Sequence, residues 1–127
     1  VNQPRGAAAR YQKVQVGTGD PAQIVSLLFD GALRFAAEAS SALREGDRAR
    51  AGDRIGRAHA IVSHLAATLD RRHAPDLADN LLGIYGFCMR RLLEANLQQD
   101  AALLDEVMVA LRPLREAWAQ VSGRSAR

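Results

Sequence analysis

Apolar residues recur at helical spacing in four blocks, and the third block carries more of them than one core face can use. From Leu77 to Gln98, Leu77, Leu81, Ile84, Cys88, Leu92 and Ala95 fall on one side of a helix at 100° per residue. Leu82, Met89 and Leu93 lie beside them and widen the apolar arc to roughly 200°, against about 100–140° for an ordinary amphipathic helix. The surplus packs into a second layer of the protein or awaits a partner.

The other blocks are narrower. Asp20-Pro21 has the form of an N-cap followed by proline at the first helical position. The helix it opens is expected to bury Ile24, Leu28, Gly31, Phe35, Ala39 and Ala42 and to stop at Gly46. Asp47 can cap a second helix with the line Ala51, Ile55, Ala58, Val62, Leu65 and Leu69. Asp70 to Asp76, which contains Pro75, is the longest internal connection before the wide third helix. Asp100 caps a fourth helix, with Leu103, Leu104, Val107, Leu111, Leu114, Trp118 and Val121 on one side and Gly123 at its end. Pro113 removes the hydrogen bond to the Val109 carbonyl, which predicts a bend, not a break, because the apolar line continues in phase.

Four long helices with short connections after the first and third predict an all-α, antiparallel up-down-up-down four-helix bundle. Residues 1–19 read as a mobile N-terminal arm, 20–122 as the bundle and 123–127 as a frayed tail. In the arm, Tyr11, Val14 and Val16 form a small apolar set. Gly83 and Gly86 sit mid-helix, where alanine is more stable, and suggest close approach by a neighbouring helix, inside the bundle or from outside it. Phe87 projects to the polar side with Arg90, Arg91 and Glu94 and reads as an exposed contact.

Composition narrows the chemistry. No run of 18 apolar residues suggests a membrane span, and the first fifteen residues lack the apolar stretch of a secretory signal. The single cysteine, Cys88, excludes an internal disulfide and fits a reducing cytoplasm. A ferritin-like metal site needs Glu-x-x-His pairs, yet no glutamate precedes a histidine by three, and no HExxH motif occurs. Cys88 has no base nearby in sequence and reads as a structural thiol. No catalytic residue, cofactor or metal is expected. The formal net charge is +3, with sixteen Arg and one Lys. Arg50, Arg54, Arg57 and His64 could form an anionic-surface patch, but Asp47 and Asp53 interleave them and no aromatic residues suggest base stacking. Nucleic acid is not an expected partner.

Several segments resemble the flagellar secretion chaperone FliS family. They are Tyr11-Gln-Lys-Val-Gln-Val, Thr18-x-x-Pro21, Leu28-Phe29-Asp30-Gly31-Ala32-x-Arg34-Phe35 and Gly46-Asp47. Asn80-Leu81-x-x-x-Tyr85, Arg90-Arg91-Leu92-Leu93-Glu94-Ala95-Asn96, Asp100, Leu104-Asp105-Glu106-Val107 and Leu114-Arg115-Glu116-Ala117-Trp118 continue it in order. The resemblance implies a non-enzymatic, cytoplasmic bundle that covers the apolar faces of the flagellin C-terminal segment. It would prevent premature polymerisation and deliver that segment to a component of the flagellar export gate. It also implies that the arm lies on the bundle when no client is bound. The chain departs from the family in its basic charge, in His73-Ala74-Pro75 where glycine is more usual, and in Pro113.

The candidate partner-binding residues are the arm residues Tyr11, Val14 and Val16, together with Phe29, Leu33, Leu82, Tyr85, Met89, Leu93, Asn96 and Met108. Apart from the arm they are chosen mainly as apolar or aromatic positions off the expected core lines. No membrane insertion is expected, and the protein would be a monomer or weak dimer. The alternative function is a helical adaptor or regulator that binds another partner or itself through the same surplus.

Overall fold

A computed structural model describes residues 21–72 and 74–125, and side chains up to residue 120. The Asp20 cap and the arm residues Tyr11, Val14 and Val16 lie outside the described residues. Four helices follow in order: α1 Pro21–Arg44, α2 Arg48–Ala67, α3 Pro75–Gln98 and α4 Ala101–Ser125. The fold is an all-α bundle, as the periodicity implies. Each helix packs on its neighbours in sequence, and α1 closes the ring on α4, while the diagonal pairs stay apart. Ion pairs give the directions. Arg54 meets Glu38 and Arg50 meets Glu45, so α1 and α2 are antiparallel. Arg115 meets Asp30 and Arg44 meets Asp105, so α4 also runs against α1.

Local chemistry sets the helix ends. At the end of α1, Gly46 adopts φ 78°, Gly46 N donates to Leu43 O at 3.1 Å and Asp47 N to Ala42 O at 2.8 Å. This is the Schellman closure, which needs a left-handed residue and is met at least cost by glycine. Asp47 then caps α2 by accepting from Arg50 N at 3.1 Å. Asp100 likewise accepts from Ala102 N at 3.0 Å at the start of α4. The end of α3 repeats the closure with Gln99 at φ 54°, a left-handed conformation in a residue with a Cβ. Helix α4 stays helical across Pro113 and runs on past Gly123, the end expected from sequence. A single glycine weakens a helix without stopping it.

The core confirms the α2 line and turns two others. Ala51, Ile55, Ala58, Val62 and Leu65 are all buried, whereas Leu69, past the helix end at Ala67, is only half-buried. In α1 the axial residues are Phe29, Ala32, Ala36 and Ala39, whereas Ile24, Leu28, Gly31 and Phe35 are only partly covered. In α3, Ala78 and Tyr85 take the places expected for Leu77 and Ile84, so Leu77 is 57% exposed and Ile84 half-buried. Phe29 and Tyr85 meet across the bundle axis with ring centroids 6.3 Å apart. Gly31 has a packing role, since a Cβ there would lie 3.1 Å from Ile61 Cδ1. The expectation of close helix approach inside the bundle at Gly83 and Gly86 does not hold. A Cβ at Gly83 meets nothing within 4 Å, and one at Gly86 meets only the tip of Arg90.

Three substitutions test these assignments by thermal unfolding. Gln99→Gly relieves the left-handed conformation and Gly83→Ala removes a helix penalty, so each raises stability by about 0.5–1 kcal/mol. Phe29→Ala empties the bundle axis and lowers stability by about 3–5 kcal/mol.

Candidate functional site

At the end of the bundle where α1 and α3 begin and α2 and α4 finish, the helices part around a cavity of about 310 Å³. Val25, Leu65, Leu69, Leu77, Leu81, Tyr85 and Trp118 line most of it. The opening follows from the sequence at this end. The connection from Ala67 to Pro75 is the longest of the three, and α3 starts at Ala74-Pro75 without a side-chain cap. Helix α3 begins with small Ala78 on its inner side and its larger neighbour Leu77 turned outward.

Tyr85 lines this cavity and is 2% exposed. Burial pushes its phenol up to about 12, and burial likewise pushes the Cys88 thiol one turn away up to about 11. Both groups stay neutral near pH 7, and Cys88 has the high pKa of an unreactive thiol.

A second feature is the outer edge of α3 that faces α2. Helical phase places Leu82, Met89, Leu93 and Asn96 along one edge. Asn96 fixes its direction, because its Oδ1 lies 3.7 Å from the position a Cβ on Gly52 would take. Leu82 and Met89 are half-buried and Leu93 is 51% exposed. On the opposite edge, Phe87 is half-buried against the core and not free, with the Arg91 guanidinium 4.9 Å above its ring. It shares a shallow groove with Val109, Ala110, Asp105 and Glu106.

The structure therefore sorts the candidate residues into groups. Leu82, Met89, Leu93 and Asn96 come together on the α2-facing edge. Leu33 and Met108 meet in a cleft between α1 and α4, rimmed by Asp30, Arg34, Arg112, Arg115 and Glu116. Phe29 and Tyr85 correct the expectation that they lie off the core line. Phe29 is wholly buried, and Tyr85 is buried as well, lining the end cavity. Met108 is also buried, against the same expectation. Sequence reading missed Leu69, Leu77 and Trp118 as walls of one cavity. Their common signal was position at the ends of α2, α3 and α4, which only the antiparallel arrangement brings together.

Charge does not single out a site. Arg54 Nε donates to Glu38 Oε1 at 2.8 Å and also pairs with Asp53, and Arg57 Nε donates to Asp53 Oδ2 at 2.9 Å. The carboxylates interleaved with the α2 arginines thus occupy the guanidinium groups of that face. Hydrogen bonds from Arg57 and Arg54 hold the Asp53 carboxyl below the usual carboxylate range. Among the described residues no group of three or more His, Cys, Asp or Glu is placed to hold a metal. No helix among them is long and apolar enough to cross a membrane.

The family model described as flagellar protein FliS matches residues 4–125. The chain belongs to the FliS family. The flagellar secretion chaperone FliS of Salmonella typhimurium is 36% identical over 111 residues, covering 87% of this chain and 82% of its own length. Flagellar secretion chaperone FliSB of Pseudomonas aeruginosa is 34% identical over 120 residues, 91% of this chain and 95% of the relative. Flagellar secretion chaperone FliS of Vibrio cholerae is 31% identical over 121 residues, 92% and 89% of the two chains. The match takes in all four helices, so the FliS family member described here carries the cavity and the α3 edge within the shared region.

The burial of Tyr85 and Cys88 has a measurable sign. Both folded values exceed the ordinary 10.0 and 9.0, so their contribution to stability is complete below about pH 9 and is lost as pH rises toward 11–12. Chemical denaturation between pH 7 and 11 shows this as a falling midpoint, and Cys88→Ala makes the fall shallower. Iodoacetamide at pH 7.5 leaves Cys88 unmodified in the folded protein and labels it on unfolding.

Proposed function

We propose that the protein is a cytoplasmic export chaperone that binds the C-terminal segment of flagellin and delivers it to the flagellar export apparatus. Membership of a family of flagellar secretion chaperones supports this most directly. The arrangement of apolar surface supports it in physical terms. A client whose terminal segments form amphipathic helices after assembly must have those faces covered beforehand. The edge of Leu82, Met89 and Leu93 and the apolar cavity at the end of the bundle both offer cover.

Binding of this kind couples folding of the client to burial. The client loses chain entropy, and apolar contacts along α3 offset that loss. No bond is made or broken, so the protein has no catalytic role. Tyr11, Val14 and Val16 belong to the same proposal as contacts for the client or the export gate. The half-exposed state of the α3 edge favours a client over simple core packing. A purely structural edge would be covered by α2, yet Leu93 stands 51% exposed.

Calorimetry with a flagellin C-terminal peptide is expected to show 1:1 binding with a negative heat-capacity change and a gain of helix in the peptide. No heat at tens of micromolar overturns the client assignment. The triple variant Leu82→Gln, Met89→Gln, Leu93→Gln separates partner face from core. Binding weakened at least tenfold, with the bundle still folding cooperatively, supports the edge as a client surface. Collapse of the bundle assigns these residues to the core. A mass that rises with concentration and is indifferent to flagellin favours self-association instead.

A further inference from the structure

The end cavity holds one polar group that the bundle itself does not use. Tyr85 is 2% exposed, and its hydroxyl has no hydrogen-bond partner among the described residues. Such a group is costly when left dry, and phenylalanine would make the same ring contact with Phe29 without that cost. Direction matters as much as burial. Side chains on a helix lean toward its N-terminus, so Tyr85 extends from its own turn toward Leu81 and Ala78, which line the cavity. Tyr85 itself lines that space, and this lean turns the hydroxyl end of its ring toward it. The Thr68 hydroxyl on the same wall is already committed, donating to His64 O at 2.8 Å. A peptide that enters this space leaves water behind, and its carbonyls need donors there.

Resting on the chaperone reading above, we infer that the Tyr85 hydroxyl donates a hydrogen bond to a main-chain carbonyl of the client segment whose apolar side chains fill the cavity. Tyr85 then serves two purposes on two sides of one ring. Its face holds the bundle together against Phe29, and its hydroxyl selects an occupant that is polypeptide with apolar side chains. The cavity, at about 310 Å³, lies at the small end of the range for binding pockets, about 300–1,000 Å³. That size suits a few residues of an extended chain, main chain and side chains together, and does not suit a whole helix.

The test compares the full-length protein with Tyr85→Phe, using a flagellin C-terminal peptide as probe. The variant is expected to unfold at the same temperature or higher and to bind the peptide about tenfold more weakly. In the wild-type protein labelled at tyrosine ¹³Cζ, the Tyr85 resonance, identified by its loss in the variant, is expected to shift when peptide is added. Equal affinity of the two proteins, or an unmoved Tyr85 resonance, overturns the inference while leaving the chaperone reading intact. A lower unfolding temperature for Tyr85→Phe also overturns it, because the hydroxyl would then be satisfied in the free protein. Failure of the wild-type protein to bind the peptide overturns the chaperone reading, and the inference falls with it.

Discussion

The small-residue face of α1 is the constraint on which the rest of the bundle depends. Ala22, Ser26, Ala32, Ala36, Ala39, Ser40 and Ala42 are its buried residues, with Phe29 as the single large exception. Small side chains let helix axes approach, and α1 packs more closely on α2 and α4 than α3 does on either of its neighbours. With three helices drawn together, the fourth must fill what space remains from its own side. Helix α3 does so with Leu81, Tyr85 and Leu92, large residues reaching toward the axis. The Phe29–Tyr85 contact spans the diagonal that no backbone crosses.

This unequal packing has a functional consequence. A helix held at greater distance by large side chains leaves its edges incompletely covered, and the uncovered edges of α3 are apolar. The same geometry opens the cavity at the end where α3 begins, because Ala78 is too small to fill the gap and Leu77 points outward. Surface ion pairs such as Arg91–Glu106 and Arg115–Asp30 join adjacent helices around the rim. Exposed pairs of this kind contribute little stability, commonly about 0–1 kcal/mol, so register rests mainly on the apolar interior. The closely packed side of the protein is therefore α1 with its neighbours, and its incompletely covered side is α3.

Buried polar chemistry in this interior is sparse and informative. Ser40 lies beside Arg44, which bonds its hydroxyl, and Cys88 behaves as a small apolar residue. Tyr85 differs, because its ring is structural and its hydroxyl has no hydrogen-bond partner among the described residues. In a core of alanine and leucine, one unpaired phenol is a departure from the pattern by which buried polar groups find partners. It is also the point where the stability of the bundle and the recognition of a client would place opposite demands on one side chain.

Much of the architecture was legible in local chemistry. Asp47 and Asp100 cap the helices they precede, Gly46 closes α1, and the α2 core line holds from Ala51 to Leu65, because caps and a narrow apolar stripe admit only one reading. Helices α1 and α3 were less legible for the opposite reason. Apolar residues surround much of each, so periodicity could not distinguish Leu28 and Phe35 from Phe29 and Ala32, or Leu77 and Ile84 from Ala78 and Tyr85. Packing decided those phases, since close approach in α1 required alanine on the inside. The cavity was decided by tertiary structure alone: its walls are the ends of four antiparallel helices, and no local pattern encodes that meeting. The family-like motifs and the apolar surplus of α3 were present in the sequence. Which apolar side chains would be spent on the core, and which left facing outward, depended on how closely α1 let its neighbours approach.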